Sequence, residues 1–331
     1  MEKIYKIEIC RTQKRTHFSF ELVLTLENRN FAYFLTLYFL PSPERLNYDS
    51  PSQLARSLAV SELTLITHSI GHVIVALEKK CGDECLERNL AAVTTQGNSE
   101  ERKLLLKDQI AFGILFQTLA GRKETQLEIE QELRVRSRSG KMKFLKMEVS
   151  ADAYERMNRY SREYHERGFE KFFGMTNRPR YGEGAGCSAY ALSYLEVAGL
   201  ILPQFTKAWT RTLLVPQTLV GGALTQKKVS FFKLLFAGSK FRWALPHEPH
   251  FTVTFWDPDL MFDWVHNMIS EKNTAAHFEF CKQQAAQGVS VDCREMEVPT
   301  GSLWRFEPLR PQSPAPYETD DYESNFVRKS G

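Results

Sequence analysis

Apolar and polar residues alternate through Ile4–Ile9 and Phe18–Leu26, a period of two that predicts strands. Phe31–Leu40 (FAYFLTLYFL) is apolar throughout. It reads as an ordinary buried segment or as the apolar part of a signal peptide, although Arg29 is the only basic residue close before it and no small-residue cleavage pattern follows. Leu54, Leu58 and Leu63 give Ser52–Leu65 a helical spacing. Ile70–Leu77 (IGHVIVAL) is rich in β-branched residues and predicts a strand, with His72, Ile74 and Ala76 on one face and Val73, Val75 and Leu77 on the other. Leu90–Thr95 predicts a further strand, ended by Gln96-Gly97-Asn98.

Gln126–Val135 and Met142–Val149 read as two strands about a Ser139-Gly140 turn, with Arg134, Arg136 and Arg138 on one solvated face. Ser150 is a good N-cap for a helix running to about Arg167 and stopped by Gly168, with Tyr154, Met157, Tyr160 and Tyr164 as its core stripe. A turn with Gly182, Gly184 and Gly186 then leads into a helix that starts at Cys187 and ends before Gly199. Another helix is expected from Pro258, its first turn marked by acidic residues. The tail turns Pro-rich and then acidic from about Arg310. Strands and helices are mixed along the chain before this tail (311–331).

Composition narrows the function classes. The 331 residues are 43% hydrophobic and 25% charged, enough apolar material for a buried core. A net charge of +3, from 43 basic and 40 acidic residues, with no basic stripe interleaved with aromatics, argues against a nucleic-acid partner. No apolar run reaches the roughly 18 residues of a transmembrane helix. Of six cysteines, Cys81 and Cys85 flank a Gly-Asp turn, and Cys281 and Cys293 bracket a segment containing Gly288. Two local bridges would leave Cys187 as the working thiol, with Cys10 lost if an N-terminal segment is removed, and suit a secreted or periplasmic protein. Six reduced cysteines in a cytoplasmic protein stands beside that reading.

Cys187 is the strongest candidate for chemistry. A helix N-terminus lowers a thiol pKa through its unpaired N–H groups and partial positive charge. The glycines before it permit close backbone approach, and the amides of Cys187 and Ser188 are candidates for an oxyanion hole. The plainer alternative is a small buried cysteine at a tight turn. Among eight histidines, His165 falls in a charged helix, His247 and His250 in a Pro-rich loop, and His266 and His277 in the C-terminal part. His17 and His68 have weak contexts. His72 begins an apolar strand, where an imidazole is costly without a partner, and it becomes the best base for Cys187. His68-x-x-x-His72 and His247-x-x-His250 lack further ligands, and the glycine loop lacks the Lys-Ser/Thr ending of a phosphate loop, so no metal or cofactor is expected.

Gly71-His72-Val-Ile-Val-Ala-Leu, a following strand, a capped helix, and Gly186-Cys187-Ser-Ala-Tyr-Ala-Leu-Ser-Tyr-Leu-Glu-Val-Ala-Gly together resemble the circularly permuted branch of the NlpC-type papain-like superfamily. That branch includes lecithin:retinol acyltransferase-like proteins and bacterial exported proteins of unassigned role. Phe144–Tyr164 is similar to the strand and helix that precede the cysteine there. The resemblance covers roughly 60–202 and implies an α+β core there, an antiparallel sheet packed on a Cys-bearing helix, with an N-terminal segment (1–59) before it, an extension packed on it (203–310) and a tail (311–331). It implies a cysteine hydrolase (peptidase or amidase) or acyltransferase, with Cys187 as nucleophile and His72 as base. The substrate would be a peptide, cell-wall or lipid acyl group. A third polar residue should orient the ring from the strand after the histidine. Thr95 and Gln96 are nearest, although neither is the expected His, Glu or Asn, and Glu183 is a further candidate. Lack of an obvious third residue keeps open a catalytically silent binding or envelope-associated module of the same fold.

Overall fold

β-Branched and aromatic runs build the centre of the protein. The computed structural model describes residues 31–63, 70–236, 240–270 and 277–305. The strands expected at Ile4–Ile9 and Phe18–Leu26, together with Cys10, His17, His68 and the tail, lie outside the described residues. In chain order the strands are β1 (Phe31–Leu40), β2 (His72–Cys81), β3 (Glu84–Ala91), β4 (Val93–Thr95), β5 (Leu119–Lys123), β6 (Lys143–Val149), β7 (Phe172–Phe173), β8 (Thr210–Pro216), β9 (His250–Trp256), β10 (Glu279–Gln283) and β11 (Ala286–Cys293). The helices that matter below are α1 (Pro51–Leu63), α2 (Gln126–Arg138), α3 (Ala151–Glu166), α4 (Cys187–Ala198), α5 (Pro203–Trp209), α6 (Phe231–Phe236) and α7 (Pro258–Ser270).

The main sheet has the order β10-β11-β6-β1-β2-β3. Its pairs are antiparallel except β11 with β6, which is parallel, so the fold is α+β with a mixed sheet rather than an all-antiparallel one. Strand alternation sorts the core into two layers. Leu35, Leu37, Phe39, Val73, Val75, Leu145 and Met147 meet the tyrosine stripe of α3 and the apolar faces of α4, α5 and α7. Tyr38, Leu40, Ile74, Ala76 and Phe144 face the other way and are covered by Ile129 and Leu133 of α2. Tyr160 and Tyr194 join α3 to α4 edge to face, ring centroids 5.5 Å apart. The expected faces of β2, the Ser150 cap, the tyrosine stripe, the Gly199 terminus and the Pro258 start all hold.

A second apolar cluster sits beside this one. There the two-stranded ribbon β8-β9 packs Leu213, Val215, Val253 and Phe255 against Leu54 and Ala55 of α1, Phe112, Leu115 and Leu234 of α6. The boundaries at 60 and 202 therefore do not enclose the core. β1 is a central strand, β10 and β11 form one edge, and residue 60 falls inside α1.

Phe31–Leu40 is bracketed by β2 and β6 with Leu35–Leu40 buried, the ordinary buried segment of its two readings. Four other expectations need correction. The expected strand Gln126–Val135 is a helix. A full capping box starts it: Glu128 N–H donates to Thr125 Oγ1 (3.2 Å) and Thr125 N–H donates to Glu128 Oε2 (2.7 Å). Ile129 and Leu133 at i, i+4 supply the stripe, and Arg136 is no solvated residue but buried, bonded to Glu132 and to the Pro41 carbonyl. The expected bridges are absent: Cys81, Cys85, Cys281 and Cys293 are unbonded. Cys281 pairs with Gly288, and Cys293 lies five residues further along β11, roughly 17 Å of strand, well beyond disulfide reach. His250 opens β9 rather than lying in a loop.

The capping box generates a test. Thr125→Ala should lower stability by about 1 kcal/mol in urea unfolding, with Thr125→Ser close to wild type. An unchanged midpoint for the alanine variant would mean the helix start does not depend on this cap.

Candidate active site

His72 is set at the mouth of β2 by the chain before it. Gly71 has φ +80°, and a Cβ there would come 3.1 Å from both the Leu40 carbonyl oxygen and Pro258 Cβ. Only glycine passes between the end of β1 and the start of α7 in this conformation. Ser42, just past β1, fastens the same corner by donating its N–H and Oγ–H to the Asp259 carboxylate at 2.8 and 2.6 Å.

Cys187 arrives from the opposite direction. Gly184 has φ +78°, and a Cβ would lie 2.1 Å from the Phe172 carbonyl oxygen, so the loop is pressed against β7. Ala185 N–H donates to that oxygen at 3.1 Å. Gly186 is the N-cap of α4 and Cys187 its first residue. The first bond of the helix runs from Tyr190 N–H to Gly186 C=O (2.9 Å), so the amides of Cys187 and Ser188 stand outside the helical ladder.

The structure brings these two residues together. The Cys187 sulfur is hydrogen-bonded to the His72 ring, and it also accepts from Val73 N–H and is met by the Ser188 hydroxyl, 3.9 Å away. On the ring, Nε2 lies 3.0 Å from Glu124 Oε1, with His72 and Glu124 only 1% and 3% exposed. Glu124 is the member that sequence reasoning missed. It follows β5 and directly precedes the Thr125 cap, and its N–H donates to Ala92 C=O (3.0 Å), which ties it to the junction between β3 and β4.

The three residues expected in its place do other things. Thr95 pairs with Gly121, and Gln96 N–H donates to Ala120 C=O at the far end of the β4-β5 ladder, roughly 10 Å of strand from Glu124. Glu183 is held by Arg178 through its backbone N–H (2.8 Å) and guanidinium, and its carbonyl accepts from Asn177 Nδ2 (2.6 Å). It braces the glycine loop. His165 shares a hydrogen bond with Tyr190 Oη (3.1 Å), and burial lowers its pKa to about 4.

Burial alone would depress the His72 pKa, but the charge of Glu124 and then that of the sulfur push it up to about 10. Burial alone would raise the thiol, but the imidazolium charge and hydrogen bond, with Val73 N–H and Ser188, hold it below the ordinary thiol value. The two shifts run the same way, toward a protonated ring and an ionised sulfur.

A cavity of about 90 Å³ opens on Cys187, between the start of α4 and the β8-β9 ribbon. Cys187, Gly186 and Ser188 line one side, and Tyr48, Leu54, Leu58 and Phe255 line the other. Apart from the helix start its walls are almost wholly apolar. Among the described residues no group of three or more His, Cys, Asp or Glu is placed to hold a metal ion, and no helix is long and apolar enough to cross a membrane. Compared with models of protein families, with curated proteins and with solved structures, the chain finds no match.

Thiol reactivity should follow these environments. At mildly acidic pH iodoacetamide should modify Cys187 ahead of Cys293, which burial pushes up to about 11, and of Cys281, which burial also raises. Glu124→Gln removes the charge that keeps the ring protonated and should slow Cys187 alkylation at that pH roughly tenfold, equivalent to one pKa unit. Peptide mass spectrometry reads both. Uniform labelling of all thiols would contradict the account.

Proposed function

We propose that the protein performs thiol-dependent acyl chemistry, cleaving or transferring the acyl group of an amide or ester through a Cys187 thioester. The observation that carries this is the buried line of Cys187, His72 and Glu124, in which both pKa shifts favour thiolate and imidazolium. An unpaired cavity at the sulfur, walled by apolar side chains, supports an apolar acyl group as the portion bound next to the nucleophile.

The reaction follows from the groups present. The Cys187 thiolate attacks the carbonyl carbon, and the carbonyl oxygen takes the negative charge beside the amides of Cys187 and Ser188. As the intermediate collapses, the imidazolium of His72 gives its proton to the departing amine or alcohol, leaving a thioester and a neutral ring. Water or an acceptor hydroxyl or amine then loses its proton to His72 and attacks the thioester. The carboxylic acid or transferred acyl product leaves, and the thiolate is restored against the imidazolium. Glu124 holds Nε2 throughout, fixing the ring's orientation and favouring its charged form.

We also read the core as a permuted papain-like arrangement. Support comes from α4 carrying the cysteine at its first residue and packing on β2, whose first residue is the histidine earlier in the chain. The parallel β11 and the β8-β9 ribbon are additions to that plan. The reading as a silent binding module drew on the lack of a third polar residue, and Glu124 takes that support away. A peptide, cell-wall or lipid substrate and an exported location remain part of this proposal.

Cys187→Ala should abolish labelling by a thiol-directed acyl probe and His72→Ala should reduce it at least a hundredfold, both with unchanged far-UV circular dichroism. Activity should rise with pH as Cys187 ionises and fall as His72 loses its proton near pH 10. In Glu124→Gln the alkaline fall should move to lower pH, because the neutral amide no longer raises the ring. Labelling that persists in Cys187→Ala would end the proposal.

A further inference from the structure

The longest stretch of the chain without a carboxylate side chain inside the described core runs between Glu196 and Glu248, and it carries Lys227, Lys228, Lys233 and Lys240. Within it, α6 turns large apolar groups outward. Phe232 is 53% and Phe236 82% exposed, while Leu234 between them is fully buried. Four residues apart on a helix, the two phenylalanines share one face, with Lys233 exposed beside Phe232. α6 lies against α1: Arg56 Nε donates to the Leu235 carbonyl (2.8 Å), and Val60, one turn further along α1, is 50% exposed. Arg242, nearby in sequence, has its charge answered by Glu248.

We infer that the exposed face of α6, Phe232 and Phe236 with Lys233 between them in the chain and Arg56 and Val60 on the adjoining α1, docks on an anionic lipid surface, Lys227 and Lys228 adding positive charge just before α6. Exposed phenylalanines at the level of basic side chains match the two layers of such a surface, acyl chains below and phosphates above. A second copy of the chain fits less well, because a two-fold contact would set this cationic stretch against itself. Location adds weight. The same helix α1 that presents Arg56 and Val60 outward lines the Cys187 cavity with Leu54 and Leu58, so docking brings a lipid surface alongside the apolar cavity. The inference stands on the exposed face and needs no catalytic activity at Cys187.

Vesicle co-sedimentation of the full chain tests it. The protein should pellet with phosphatidylcholine vesicles containing phosphatidylglycerol, much less with phosphatidylcholine alone, and less at high salt. The Phe232→Ser/Phe236→Ser variant should bind at least tenfold more weakly. Lys227→Gln/Lys228→Gln/Lys233→Gln should bind roughly a hundredfold more weakly, about fivefold for each lysine. Both variants should keep wild-type circular dichroism and Cys187 alkylation, and Cys187→Ala should bind vesicles as wild type does, which separates this inference from the catalytic one. Wild-type protein that stays in the supernatant with both vesicles would overturn it. So would binding that neither variant weakens, or gel filtration in which the phenylalanine variant converts a dimer to a monomer.

Discussion

A carboxylate and an imidazole 3.0 Å apart, both shut away from water, set the character of this molecule. Burying either one alone would be expensive, and its usual response would be to lose its charge. Together, with a sulfur hydrogen-bonded to the ring, they do the reverse: the ring's pKa is pushed up to about 10 and the thiol's is held below its ordinary value. The charge on sulfur is supported by Val73 N–H, by Ser188 and by the start of a helix, so the anion is not left to the imidazolium alone.

Much of the architecture serves to hold that line of three groups. Gly71 lets the chain pass between the end of β1 and α7 and so fixes where β2 begins. Gly184 lets the loop before α4 lie on the Phe172 carbonyl, with Glu183 and Arg178 bracing it from outside. The Thr125–Glu128 cap starts α2 immediately after Glu124, and Ala92 anchors that residue's backbone. Three separate stretches of chain therefore converge, each stopped at its place by a local device that the neighbouring sequence supplies.

The cysteine, the histidine, and the helices at Ser150, Cys187 and Pro258 were legible in the sequence because each carries a local signal: a cap, a glycine stop, a β-branched run. Glu124 was not, and the cause is specific. With 126–135 read as a strand, nothing marks the glutamate between Lys123 and Thr125. The Thr125-x-x-Glu128 spacing is the signal that would have placed a helix start there and singled out the acid before it. The bridges failed for another reason, since spacing along the chain says nothing of register: Cys281 and Cys293 sit on adjacent strands but opposite different residues. The sheet's true extent was hidden because its central strand β1 and its edge β10-β11 come from the two ends of the described chain, and they are joined only through β6, a long-range choice on both sides.

The directness of any test depends on how closely it reports the proton on the ring. Isotope labelling of the histidines and NMR titration of the His72 ring does so at the site itself. The imidazole should remain protonated through neutral pH and lose its proton only near pH 10. A ring that is neutral at pH 7, titrating at or below the ordinary histidine value of about 6.5, would contradict the ion pair and the chemistry drawn from it.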